Sequence, residues 1–380
     1  MMKIVYCLHA TFNSGGMERI VIDKANYLAD KGYEVYIVTT EQRGRNSFYV
    51  LAPTVKIIDL AINYSLDNGC LWKKVLFHYI RRLRHRMLLT SVLKKIQPDI
   101  TISTFGNEVT FLHKIKYGGR KILEIHFSKQ FRLQLNRRGI WRYIDLYRTY
   151  LDERLVCKYD SFVVLTEEDK RYWGNIPNIT VIPNFIKVIP KLRSEVIQKK
   201  VLAVGRLSYQ KGFDRLIKIW DVIHRKHKEW SLDIYGSGEE RDNLLNLIEQ
   251  KGLSKTITIH NPVSDLSQIY AQSSIYVLTS RYEGFPMVLL EAMSFGLPIV
   301  SYQCQCGPAD LISNAYDGFL IKEGDTEAFI EKLSFLMDDF DMRKFISNNT
   351  LEKINKFRQD IIMSKWEILF MKTMGSDKIY

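Results

Sequence analysis

Two carboxylates with seven residues between them, Glu283 and Glu291, bracket an apolar segment in RYEGFPMVLLEAMSFGLPIVS, residues 281–301. Proline at the first helical position loses no hydrogen bond and fixes φ for helix entry, so Pro286 predicts a helix start just after Gly284 and Phe285. Glu283 then falls in the loop and Glu291 inside the helix. First-turn amides, here those of Phe285, Met287 and Val288, join the positive end of the helix dipole to make a site for an anion such as phosphate. An acid able to accept hydroxyls beside an anion site suits a ligand with hydroxyls at one end and phosphate at the other. That is the chemistry of a sugar nucleotide.

Other residues extend this picture. GRLSYQKGFDRLI places Arg206 and Lys211 in the loop leaving a strand, where two cations would neutralise a diphosphate and stabilise it as a leaving group. The YGSG turn, with Gly236 and Gly238, leaves its sheet on the same edge. Near the N-terminus, Asn13, Ser14, Gly15 and Gly16 follow the first strand and precede a helix opening Met17, Glu18, Arg19, and residues without bulky side chains let backbone approach a ligand closely. His126 ends the apolar strand KILEIHF and is a candidate hydrogen-bond donor or base. Glu124, two residues earlier, faces the same side of a regular strand. Asp339 and Asp341, an Asp-x-Asp between two helical patterns, read as helix-capping and first-turn acids rather than metal ligands.

Positioning these residues requires two sheets. Thirteen short apolar runs alternate with helical patterns: KIVYCLHA, EVYIVTT, VKIIDL, DITISTF, KILEIHF, SFVVLT and ITVIPN, then VLAVGRL, SLDIYGSG, TITIHNP, SIYVLTS, PIVSY and GFLIK. This is the grammar of parallel α/β units. The 380 residues exceed one comfortable core and predict two domains. The rhythm breaks at FIKVIPKLRSEVIQKK, which predicts a linker, with domains at 1–185 and 186–360 and a last helix at 361–380 whose Ile361, Ile362, Trp366, Leu369 and Phe370 form one stripe. Both halves read as doubly wound sheets whose ligands lie beyond the carboxyl ends of the strands, facing one another across a cleft.

Composition narrows the class. With 46% hydrophobic and 26% charged residues, wholesale disorder is excluded. The five scattered cysteines show neither a disulfide framework nor zinc-type spacing, which points to a reducing cytosol. No apolar run approaches the ~18 to 20 residues needed to span a bilayer, and the N-terminus lacks the h-region and cleavage site of a signal peptide.

The formal charge of +13 is uneven: residues 1–185 hold 29 Lys and Arg against 17 Asp and Glu, and the remainder is nearly balanced. Residues 71–97 predict an amphipathic helix with Trp72, Leu76, Ile80, Leu83 and Met87 on one side. That segment also carries Lys73, Lys74, Arg81, Arg82, Arg84, Arg86, Lys94 and Lys95 without one acid. A second basic tract holds Arg132, Arg137, Arg138, Arg142 and Arg148. Such tracts suit an anionic membrane face, each cation contributing ~1 kcal/mol, or a diphosphate on an acceptor. Nucleic acid is the weaker alternative, because no recognised motif or stacking platform accompanies the charge.

Taken together, NSGGMER, GRLSYQKGFDRLI, YGSGEERDNL, RYEGFPMVLLEAMSFGLPIVS, CGPADLI and DGFLI resemble a family 4 retaining glycosyltransferase of the GT-B architecture, over essentially the whole length. The resemblance implies two Rossmann-like domains, a nucleotide-sugar donor held mainly by the second, and retention of configuration with no cofactor and no required metal. It implies that Arg206, Lys211 and Gly16 hold the donor diphosphate, that Glu283 contacts sugar hydroxyls, and that Glu291 binds ribose. His126 resembles a histidine near the transferred sugar, and the last helix one that crosses back to the first domain. The implied reaction moves a hexose or N-acetylhexosamine, UDP-linked by family frequency, to a lipid-linked saccharide in surface-polysaccharide assembly. The implied place is the cytoplasmic face of the membrane, reached peripherally. An epimerase or phosphorylase acting on a soluble substrate is the alternative within the same architecture.

Overall fold

The structure is a computed structural model that describes residues 1–66, 71–135, 139–263 and 265–375; side chains at 66, 71–75 and 135 lie outside that description. Two compact units divide the chain. Unit 1 comprises Met1–Leu165, Asp169–Ile182 and the segment from Met363, and unit 2 comprises Thr166–Glu168 and Pro183–Ile362.

Unit 1 holds seven parallel strands: β1 (Lys3–Leu8), β2 (Glu34–Thr39), β3 (Lys56–Asp59), β4 (Ile100–Ser103), β5 (Arg120–Glu124), β6 (Ser161–Val164) and β7 (Ile179–Val181), in the order β3-β2-β1-β4-β5-β6-β7. Unit 2 holds six: β8 (Lys200–Val204), β9 (Ser231–Tyr235), β10 (Ile257–His260), β11 (Ile275–Leu278), β12 (Ile299–Gln303) and β13 (Phe319–Lys322), in the order β10-β9-β8-β11-β12-β13. Each of the thirteen apolar runs forms a strand. A sheet covered on both faces needs strands apolar throughout, and β4, β6 and β11 are buried at every residue.

Helices supply the covering layers. Phe213–Ile223 turns Phe213, Leu216, Ile217, Trp220 and Ile223 inward, a helical spacing that packs against Ala203, Leu232 and Ile234 of the sheet. Its entry is Gly212 at φ +66°, where an added Cβ would stand 2.2 Å from the carbonyl oxygen of Thr279. Only glycine fits there.

The chain reverses its strand order once in each sheet, between β1 and β4 in unit 1 and between β8 and β11 in unit 2. Loops beyond the carboxyl ends of such neighbours diverge to opposite faces and leave a crevice, the usual ligand position in open α/β sheets. In unit 2 those loops carry Arg206 and Lys211 after β8 and Glu283 after β11.

Two expectations change in detail. Pro286 stands at the cap position and the helix runs Met287–Ser294, because Pro286 has ψ 88° and has not entered helical geometry. On helix Leu71–Ile96 the apolar stripe of Leu76, Ile80, Leu83 and Met87 is exposed, whereas His85, Leu89 and Leu93 are buried. In the final helix, Gln359–Thr373, Ile362, Trp366, Leu369 and Phe370 are buried whereas Ile361 is exposed. No described helix is long and apolar enough to cross a membrane.

Candidate functional site

In unit 2 the loops after β8 and β11 are tied together at Lys211 and Glu283. The Lys211 ammonium donates to Glu283 Oε1 at 2.7 Å, and the Ser280 hydroxyl donates to the same oxygen at 2.6 Å. Glu283 is 6% exposed and Lys211 17%, so the pair is half-sheltered with its ammonium still reachable. A lysine stem is held straight by packing; here it lies along Gly205, where an added Cβ would touch Lys211 carbons at 3.4 Å. Behind the pair, Gln210 donates its side-chain amide to the Tyr282 carbonyl, and Arg281 grips Asp214 through two bonds of 2.9 and 2.7 Å while stacking 3.9 Å over the Tyr209 ring. The planar fork of arginine makes this brace rigid.

The remaining donor-site candidates of unit 2 cluster along the same edge. Gly236 packs so closely on the β8 loop that a Cβ would lie 1.9 Å from the Gly205 carbonyl oxygen. Phe285 is buried, and no side chain caps helix Met287–Ser294, so its first turn is open to an outside acceptor beside Met287 and Val288. The Glu283 amide donates to the Gln305 carbonyl at 3.0 Å, pairing the loops that follow β11 and β12 just before Gly284. Arg206 is exposed, and its side chain makes no hydrogen bond or ion pair among the described residues. Glu291, on the helix, accepts the Tyr270 hydroxyl at 3.1 Å, and Tyr270 is itself stacked on Phe295. Burial, with Glu283 adding to it, pushes the nearby Cys304 thiol well above its ordinary range, so it stays protonated.

Unit 1 places its candidates on its own carboxyl edge. Gly15 caps helix Gly16–Asp30 in extended geometry, so the glycine loop does deliver a helix N-terminus. His126 follows β5 with only 5% of its side chain exposed, and its Nε2 lies 3.1 Å from Glu124 Oε1. Glu124 is wholly buried and also takes the ammonium of Lys24, which projects from helix Gly16–Asp30 and stacks 4.1 Å over Trp366. Burial alone would raise the Glu124 carboxyl; the charges of Lys24 and His126 outweigh it and bring it down to about 2. Burial likewise pulls the Lys24 ammonium below its ordinary value, against the attraction of Glu124.

Of the basic residues, Arg81 reaches the Tyr64 carbonyl at 3.3 Å, while Arg82 and Arg84 belong to the same helix, Leu71–Ile96. Arg137 and Arg138, and the side chains of Lys73 and Lys74, lie outside the described residues. Asp339 accepts the Met342 amide at 2.8 Å and so caps helix Phe340–Lys353. Among the described residues, no three His, Cys, Asp or Glu side chains group as a metal-ion set.

Sequence reasoning missed Ser280, the Arg281–Asp214 brace and Lys24. Lys24 had a readable signal: it occupies the apolar stripe of Ile20, Val21, Ala25 and Leu28, where a solvated lysine has no place.

Comparisons with known proteins bear on the family and the fold. The model of Glycosyltransferase Family 4 matches residues 14–188, and that of Glycosyl transferases group 1 matches residues 185–353. A Haemophilus influenzae protein described as an uncharacterized glycosyltransferase is 30% identical over 374 residues, covering 97% of this chain and 99% of that one. The chain belongs to the family 4 glycosyltransferases. Two further relatives of this glycosyltransferase are the amylovoran biosynthesis glycosyltransferase AmsD of Erwinia amylovora and a Campylobacter jejuni N-acetyl-D-galactosaminyltransferase whose name specifies a PP-undecaprenol-linked saccharide. They are 28% and 27% identical, with 96% of this chain covered in both and 99% and 97% of the relatives. Among solved structures, Staphylococcus aureus TarM superposes with a TM-score of 0.79 at 17% identity, covering 97% of this chain and 99% of TarM. The apo form of the lipopolysaccharide outer core galactosyltransferase WaaB gives 0.73 at 22%, with 98% and 100% covered. These likenesses place the glycosyltransferase in the GT-B fold.

Proposed function

We propose that this glycosyltransferase moves a hexose or N-acetylhexosamine from a UDP-linked donor to a lipid-linked saccharide during assembly of a cell-surface polysaccharide. The observation that carries the reading is the Lys211–Glu283 pair at the strand-order reversal of unit 2. A bound donor would exchange that ion pair for two better-matched partners, with Lys211 and the unpaired Arg206 taking diphosphate oxygens and Glu283 accepting sugar hydroxyls. The first-turn amides beside Met287 and Val288 would add donors to the phosphate, and Glu291 would hold ribose. As the glycosidic bond to phosphate lengthens, negative charge grows on the leaving oxygen, and these preset donors stabilise it most at that moment. The acceptor hydroxyl enters on the same face, its proton passes to the leaving phosphate oxygen, and configuration is retained. His126 and Glu283 are the catalytic candidates, and no step calls for a metal. The names of AmsD and of the Campylobacter enzyme support a polysaccharide or polyprenyl-diphosphate acceptor.

A lipid-linked acceptor fits a peripheral place on the inner membrane face. Unit 1 exposes both cations and apolar side chains on helix Leu71–Ile96, and helix Ile140–Val156 buries Asp145 and Thr149 while exposing Trp141, Tyr143 and Tyr147. Aromatic and basic side chains together suit an anionic lipid interface.

The test incubates the protein with UDP-glucose, UDP-galactose, UDP-N-acetylglucosamine or UDP-N-acetylgalactosamine and polyprenyl-diphosphate saccharides extracted from bacterial membranes, followed by mass spectrometry. Transfer is expected for one donor and is abolished by Lys211→Ala or Glu283→Ala in folded protein. Absence of transfer with every donor refutes the reading. Sedimentation with phosphatidylglycerol vesicles, weakened by salt, is expected for the membrane contact.

A further inference from the structure

A second histidine of unit 1 is held as a working group holds its imidazole. His9 is the residue that follows β1, beside the strand-order reversal toward β4, so it stands on the crevice edge of this sheet. Its Nε2 lies 2.7 Å from Oε2 of Glu41, and the two side chains differ sharply in burial, 44% exposed for His9 and 2% for Glu41. Glu41 follows β2, and its other oxygen is saturated: Arg43 donates at 2.6 Å, the Ser65 amide at 2.9 Å, and the Ser65 hydroxyl donates as well. Burial works against the charge, but those donors outweigh it and hold the carboxyl below its ordinary range. Oε2 therefore remains an ionised acceptor that faces His9. The backbone is fixed too, since the amides of Thr40 and Glu41 both donate to the His9 carbonyl, at 3.1 and 3.0 Å.

An ionised carboxylate 2.7 Å from Nε2 repels a lone pair there, which favours the neutral ring with its proton on Nε2 and its lone pair on Nδ1. Nδ1 has no partner among the described residues. We propose that His9 is an acceptor-contact residue whose Nδ1 takes a hydrogen bond from a hydroxyl of the acceptor saccharide and orients it, with Glu41 as its positioning residue. This rests on the reading of the chain as a saccharide-extending enzyme. It assigns the acceptor's hydroxyl end to the crevice edge of unit 1.

The experiment uses the full chain and the UDP-sugar and polyprenyl-diphosphate saccharide pair that turns over in the assay above, with each substrate varied in turn. His9→Gln keeps an N–H toward Glu41 and removes the lone pair at Nδ1, whereas His9→Asn restores a polar atom near Nδ1 and abandons Glu41. The expected result for His9→Gln is a loss of about 3- to 10-fold in kcat/KM for the acceptor, the worth of one neutral hydrogen bond. UDP affinity by calorimetry should stay within about twofold, and an unchanged thermal transition of unit 1 reports an intact fold. His9→Asn should recover part of the loss, an outcome that a tether to Glu41 would reverse. Acceptor kinetics unchanged in His9→Gln, or His9→Asn poorer than His9→Gln, overturns the proposal alone. A wild-type chain that transfers to no acceptor overturns the functional reading and this one with it.

Discussion

Lys24→Met removes one member of a fully buried ion pair and leaves the Glu124 carboxyl among Tyr6, His126 and Trp366 without its main counter-charge. Removing one partner of such a pair costs about 3 to 5 kcal/mol, since the survivor must stay charged in a poor solvent or take up a proton. A unit of roughly 200 residues loses about 2 to 4 °C in Tm per kcal/mol, so calorimetry at pH 7 should show the unit 1 transition falling by about 6 to 20 °C. The pH dependence supplies an internal check. In the wild type the folded Glu124 carboxyl lies at about 2, below its ordinary 4.5, so its contribution is full above pH 4.5 and is lost as pH falls toward 2. That loss is about 3 kcal/mol at one pKa unit per 1.36 kcal/mol. In Lys24→Met the acid loss should shrink or reverse, because protonating Glu124 now relieves an unpaired charge. Adding Glu124→Gln to Lys24→Met should restore most of the stability at pH 7. A single variant within about 1 kcal/mol of wild type, or a double variant as weak as the single, would refute the assignment of a stabilising buried pair.

Three further outcomes follow from local geometry. Gly212→Ala forces a left-handed backbone on a residue with a Cβ and drives that carbon into the Thr279 carbonyl, so stability should fall by more than about 1 kcal/mol, with UDP affinity by calorimetry falling as the Lys211 loop shifts. His85 is buried between Tyr64 and Phe111, and burial pushes its imidazole down to about 4 from 6.5. The unfolded chain therefore binds a proton that the folded chain refuses as pH falls from 6.5 to 4, costing about 3 kcal/mol, and urea titrations should show His85→Gln flattening that decline. Arg281→Lys exchanges a two-pronged grip on Asp214 and a stacked plane over Tyr209 for a point charge, and should weaken UDP binding several-fold by calorimetry while leaving the fold intact.

The sheets were legible because doubly covered strands have no polar face to hide: ITIS, SFVV and IYVL are apolar enough, and short enough between turn residues, to be nothing else. Glu283 and Lys211 were legible through spacing and loop position. Their direct bond was not, because they lie 72 residues apart and meet only through parallel pairing of the strands that carry their loops. The stripe from Leu76 to Met87 was legible as one face, but its exposure was not, because periodicity reports which residues share a face and is silent about what that face meets. Lys24 hid because charge ordinarily marks a solvated position, and its partner lies 100 residues away on strand β5. His9 and Glu41 hid likewise at the ends of neighbouring strands.

Trp366, which covers the Lys24 ammonium, belongs to a part of unit 1 that the ribosome makes last. Between Ile182 and Met363 lie the roughly 180 residues Pro183–Ile362 of unit 2, which take about 9 to 36 s to synthesise at 5 to 20 residues per second. Throughout that interval the nascent first unit carries its buried lysine without the indole that shields it, and without Phe370 beside that indole. Birth order and completion order therefore diverge in this chain: the unit whose sheet emerges first receives its last helix only after the whole of the second unit has been made.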